Sequence, residues 1–92
     1  MIVRVATDGQ YRLPDADAAR LNELDNEVVK AVEGGDEAAF ARLFGDMLEL
    51  VRRDGERLAE DELVESDVIL PPADTSFAEA ADGFTGEGLI PE

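Results

Sequence analysis

Residues 36–55 constrain the fold more than any other stretch, because their apolar side chains recur at helical steps from end to end. Phe40, Leu43, Phe44, Met47, Leu48, Leu50 and Val51 fall at three- and four-residue intervals, while Arg42, Asp46, Glu49, Arg52 and Arg53 occupy the other side. The pattern predicts an amphipathic helix over residues 36–54. Asp36 suits the N-cap after the Gly34-Gly35 break, Arg52 and Arg53 suit the negative end of the helix dipole, and Gly55 suits a left-handed residue just past the end. Projected at 100° per residue, the apolar arc covers about half the circumference, wider than the roughly 100° stripe that one core contact needs. The helix must therefore touch at least two other things. Phe44, Leu48 and Val51 are the candidates for an arc that faces a partner, with ordinary core as the competing reading.

The preceding residues read as a β-hairpin over 2–13, with strands 2–6 and 10–13 around Thr7-Asp8-Gly9. A two-residue Asp8-Gly9 loop sets Val5 beside Arg12. A three-residue loop with Gly9 left-handed sets Val5 by Tyr11 and Val3 by Leu13, so that four apolar residues share a face, and this register is preferred. An isolated hairpin is marginal in water, so its apolar face must cover helices or gain a further strand. Pro14 then opens a second amphipathic helix over about 15–33, with Asp15 and Asp17 in its first turn and Leu21, Leu24, Val28, Ala31 and Val32 on one stripe. The short break at Gly34-Gly35 predicts an antiparallel helical hairpin. Gly45, inside the central helix, reads as a close approach of another backbone or as a ligand contact.

Residues 56–67 are polar and irregular, anchored by Leu58, Leu63 and Val64; residues 67–72 then form an extended segment around Val68-Ile69-Leu70, closed by Pro71-Pro72. A short third helix over 76–84 begins at a capping box of Ser76 and Glu79 and carries Phe77, Ala80, Ala81 and Phe84. Leu89 and Ile90 read as a tail that returns to the core. The whole chain, 1–92, is thus expected to be one small α+β domain: an N-terminal β-hairpin, an antiparallel helical hairpin and a short third helix.

Composition excludes more than it assigns. There is no Cys, which rules out disulfides and thiolate chemistry, and no His, the commonest metal ligand and general base. No apolar run approaches a membrane span, and the start of the chain lacks a signal-peptide pattern, so a cytoplasmic protein without membrane insertion is expected. A net charge of −15 disfavours direct nucleic-acid contact and anionic lipid. The acids are spread along the chain, Lys30 is the one lysine among eight basic residues, and Ala dominates the apolar set. This is the pattern of a protein from a very salty cell, a halophile; a basic partner surface is the other reading.

No catalytic, cofactor or metal site emerges. Glu60, Asp61, Glu62, Glu65 and Asp67 offer oxygen ligands but lack the spacing and central Gly of a calcium loop. Ser66 and Ser76 have no His to activate them and sit in no nucleophile elbow, and neither Gly34-Gly35 nor Gly86-Glu87-Gly88 leads into a phosphate-binding Lys. An enzyme is not expected.

Several strings together carry a resemblance: Met1-Ile2-Val3-Arg4, Gly9-Gln10-Tyr11, Leu21-Asn22-Glu23-Leu24-Asp25, the helix end at 48–55, Asp61-Glu62-Leu63-Val64, Ser66-Asp67-Val68-Ile69-Leu70-Pro71-Pro72-Ala73-Asp74 and Glu87-Gly88-Leu89-Ile90-Pro91. The chain resembles the PspA-associated protein family, PspAA, over almost its whole length. The resemblance implies a three-helix domain encoded beside PspA, a coiled-coil, membrane-binding protein of the envelope-stress response, and hence an accessory or adaptor role with it. It implies no catalytic residues. Ala81-Asp82-Gly83 departs from the firmer helix formers expected there. The alternatives from the residues alone are a transcriptional or signalling regulator, which lacks a basic recognition helix, and an ion-binding protein or enzyme with an unrecognised carboxylate site. A homodimer through the hairpin edge is also open.

The charge pattern makes one prediction. At molar salt the Debye length falls to about 3 Å and self-repulsion is screened, so the thermal midpoint followed by circular dichroism should rise with KCl. Full stability in dilute buffer would count against high-salt adaptation.

Overall fold

A computed structural model describes residues 1–59, 61–62 and 64–83, with side chains up to residue 80. The expected roles of Leu63, Phe84, Leu89 and Ile90 lie outside the described residues or side chains, as does Glu60. Strands β1 (Ile2–Val5) and β2 (Gly9–Arg12) form the hairpin, helices α1 (Asp15–Glu33) and α2 (Glu37–Asp54) follow, and then come β3 (Glu56–Arg57), β4 (Val68–Leu70) and α3 (Phe77–Gly83). The domain is small and α+β, but its sheet is larger than a hairpin. Four strands lie in the order β3-β2-β1-β4, with β1 antiparallel to β2 and parallel to β4, and β2 antiparallel to β3.

Alternation along the strands decides which face is buried. Val3, Val5, Tyr11, Leu13, Val68 and Leu70 are all buried and join the side chains of α1 and α2 in one core, whereas Arg4, Arg12 and Ile69 point the other way and are exposed. The hairpin register differs from the expected one by two residues. Val3 faces Tyr11 and Val5 faces Gly9. A shift of two leaves every side chain on its face, so the apolar pattern cannot distinguish the two registers. The loop is Ala6-Thr7-Asp8, and the left-handed residue is Thr7 at φ 68°, not Gly9. Gly9 serves closeness: a Cβ there would lie 3.3 Å from Nη2 of Arg57.

The helical hairpin turns through a hydrogen-bonded cap. Gly35 takes the left-handed conformation at φ 71°, the Asp36 amide donates to the Ala31 carbonyl at 2.9 Å, and the Gly35 amide donates to that of Val32 at 3.1 Å. This is a Schellman motif, which satisfies carbonyls that the end of α1 would otherwise leave bare. Asp36 begins α2 at once, its carboxylate accepting from the Ala39 amide at 3.0 Å. The third helix keeps its capping box: Ser76 N donates to Glu79 Oε1 at 3.1 Å and Glu79 N to Ser76 Oγ at 3.2 Å. Its Phe77 ring meets Phe40 edge-on at 5.7 Å between centroids, and Phe40 in turn stacks on Phe44 at 5.4 Å.

Two glycines have roles other than those expected. Gly55 is extended, at φ −81° and ψ 147°, and not left-handed. A Cβ at that position would collide with the Val51 carbonyl oxygen and lie 3.0 Å from the Cβ of Tyr11, so Gly55 lets the end of α2 approach β2. Gly45 has nothing within 4 Å of where its Cβ would stand; neither a backbone nor a buried group approaches it. The two therefore respond oppositely to alanine. Gly45→Ala should stabilise by about 1 kcal/mol through helix propensity, and Gly55→Ala should destabilise by about 1–3 kcal/mol through overpacking. Urea unfolding of both variants reads the difference; a neutral Gly55→Ala would refute the close approach.

Candidate interaction surface

The arc expected to face a partner is used inside the chain. Phe44, Leu48 and Val51 are 4%, 5% and 0% exposed, and all three belong to the single core cluster. The physical reason is that α2 is covered from several sides, by α1, by Phe77 and Ala80 of α3, and by the inward side chains of the sheet. The width of the arc was a true signal, but of several internal neighbours.

The outer face of the sheet is where the chain leaves apolar surface uncovered. In register across three strands stand Ile69, Arg4 and Gln10, with Arg4 in the middle. The strap between β3 and β4 is tied to this face through its described residues. Leu58 N donates to the Gln10 carbonyl at 2.9 Å, and the Gln10 amide donates to the Val64 carbonyl at 2.9 Å and to Ser66 Oγ at 2.8 Å. Further along, the Ile2 amide donates to Asp67 Oδ2 at 2.7 Å and the Asp67 amide to the Ile2 carbonyl at 2.8 Å. Leu58 is buried. Beside it the face stays open: Ile69 is 60% exposed and Val64 38%, and these are the two exposed large apolar side chains among the described residues. The Arg4 side chain forms no hydrogen bond or ion pair with any described residue.

At the turn end, Arg4, Thr7, Gly9, Gln10, Arg57 and Leu58 line a shallow cleft of about 290 Å³. That is at or below the lower end, about 300 Å³, of small-molecule pockets, and suits a single side chain. The cleft wall is fixed by Asp8. Its carboxylate accepts from Arg52 Nε at 3.1 Å, from Arg57 Nη1 at 3.1 Å and from the Tyr11 hydroxyl at 3.2 Å, while Arg57 Nη2 donates to the Asp8 carbonyl at 3.0 Å. Arg57 also lies over the Tyr11 ring, 5.9 Å from its centroid. One carboxylate thus ties the hairpin turn to the end of α2 and to β3. Next to it, Thr7 takes a conformation that costs a β-branched residue about 1–2 kcal/mol.

Among the described residues no three potential ligands converge on one point, so the acidic run at 61–67 forms no centre there. The Asp17 and Asp54 carboxyls meet at the open end of the helical hairpin and titrate apart. Burial and then the Asp54 carboxyl push Asp17 up, and the Arg53 hydrogen bond holds Asp54 down. The pair faces solvent, unlike the enclosed pairs that serve acid–base catalysis. Asp25 is the one buried charged side chain among the described residues, and it stands beside the apolar stripe of α1.

The Asp8 cluster predicts a pH dependence. Burial alone would push the Asp8 carboxyl up; the hydrogen bonds from Arg52 and Tyr11 and the charges of Arg52 and Arg57 outweigh it and hold it below its ordinary value. A depressed folded pKa stabilises the fold above the unfolded value of about 3.9, and that stability is lost as the pH falls through the folded pKa. Asp8→Asn should therefore cost roughly 1 kcal/mol at pH 7, since both arginines are half-exposed and screened. The gap to the wild type should close at the acid end of the curve, as measured by urea unfolding across pH; a gap that does not change with pH would contradict the ion-pair account.

Comparison with curated proteins and with solved structures finds no match to this chain. Comparison with protein families does: the PspA-associated protein family, PspAA, matches residues 1–92, and the chain belongs to that family.

Proposed function

We propose that this chain is a non-enzymatic accessory protein that acts with PspA, as an adaptor for that coiled-coil, membrane-binding protein in the envelope-stress response. The observation that carries the reading is the family match across residues 1–92. The surface chemistry supports it. A chain of net charge −15 is repelled by anionic lipid, and no described helix is long and apolar enough to cross a membrane, so contact with the envelope falls to the partner. The working location is the cytoplasmic side of that membrane. In a salty cell interior, charge steering is weak and a partner is held by apolar area with short-range polar pairing, which is what Ile69, Val64 and Arg4 offer.

The test is recovery of tagged protein from its own cell at native salt, with everything that co-elutes identified. Co-elution of PspA is the expected result. Recovery of the tagged chain alone, with its fold confirmed by circular dichroism, would remove the adaptor reading.

A further inference from the structure

The outer sheet face has a geometry that selects one kind of partner segment. Ile69, Arg4 and Gln10 stand directly opposite one another on adjacent strands, and the Gln10 amide holds the Val64 carbonyl at 2.9 Å. Strands lie about 4.8 Å apart, so the row from Ile69 to Gln10 spans about 10 Å with Arg4 between them, and the exposed Val64 is tied to the Gln10 side through its carbonyl. Along an α-helix, residues i and i+7 are about 10.5 Å apart on one face, with i+3 and i+4 between them. Arg4 makes no ion pair with any described residue, in a chain with 23 acids to 8 bases. A guanidinium with no ion pair among the described residues, on so acidic a protein, is complementary to a carboxylate brought by another chain.

We propose that this face docks an amphipathic helix of a partner protein, with apolar residues at i and i+7 against Ile69 and Val64 and an acid at i+3 or i+4 on Arg4. The helix lies across the strands, from Ile69 of β4 over Arg4 of β1 to Val64 in the strap. The inference deepens the adaptor reading and rests on it for the identity of the partner, PspA, whose coiled coil would supply such a helix. Its geometry stands apart from that identity. The sheet face, not the helical hairpin, is then the working surface, and the α1–α2 pair is the support behind it.

The test uses Arg4→Glu and Ile69→Glu in the full chain, with Arg42→Glu as a charge-matched control on the exposed side of α2. All three sites are exposed, and circular dichroism checks that each variant folds. Binding to purified PspA at native salt is measured by calorimetry. A loss of tenfold or more for Arg4→Glu and for Ile69→Glu, with Arg42→Glu unchanged, is expected. Equal binding by all four proteins would overturn this docking face and leave the adaptor reading intact; equal loss in all three variants would reduce the effect to general charge and also overturn it. If the wild type itself does not bind PspA, the adaptor reading fails, and the face is tested by a second probe. That probe is a synthetic helix with Leu at i and i+7 and Glu at i+4, compared by NMR with the same peptide carrying Lys in place of Glu. Amide shifts centred on Arg4, Val64 and Ile69 with the Glu peptide alone support the face. No shifts, or the same shifts with both peptides, overturn it.

Discussion

Six side chains of α2, Phe40, Phe44, Met47, Leu48, Leu50 and Val51, are buried together, and no single neighbour could cover them. The rest of the molecule is arranged to do so. α1 folds back on one flank through the Schellman cap at Gly35, α3 closes another through Phe77 and Ala80, and the sheet brings Val3, Val5, Tyr11, Leu13, Val68 and Leu70. Burying one such side chain contributes about 1.5–3 kcal/mol against exposure. For a chain of net charge −15 that contribution has work to do, since its surface charges repel one another and favour expansion. The polar contacts that tie distant parts together are few and local in effect. The Asp8 cluster is the main one, and it secures the turn end of the sheet against α2.

Much of this was legible in the residues, for identifiable reasons. Long helices with strong periodicity and caps, such as α2 with Asp36 and the Ser76–Glu79 box of α3, are specified by neighbours a few residues apart. The sheet was less legible because its pairings are not local. Nothing in Glu56-Arg57 distinguishes a strand from a loop until it lies beside Tyr11 and Arg12, and Val68-Ile69-Leu70 is a strand by virtue of β1, far away in sequence. The glycines show the same limit: what Gly9 and Gly55 must avoid is a side chain or backbone that folding brings near. The two-residue change in hairpin register belongs here too, because period-two patterning is silent about it.

The surface was the least legible part. A wide apolar arc on α2 looks the same in sequence whether a sheet or a partner covers it, and here the chain covers Phe44, Leu48 and Val51 itself. Conversely, Arg4 is an ordinary outward residue of a strand, and Ile69 an ordinary member of an apolar run. They become neighbours only because β4 docks in parallel register beside β1, and the carbonyl of Val64 is held to the same row by Gln10.

The position of β1 in the middle of the sheet also bears on how the chain reaches this state. β1 needs β4 on one side, and the bond from the Ile2 amide to Asp67 closes a separation of 65 residues. Closing such a loop costs about 4 kcal/mol of chain entropy before β4 makes its first contact, whereas the α1–α2 pair is joined by one short turn. The helical pair and the β1–β2 hairpin rest on local contacts, whereas the sheet is complete only once residues near 70 reach β1. Until then the apolar side of the helices is bare, and the half-made protein is the form most exposed to unwanted association.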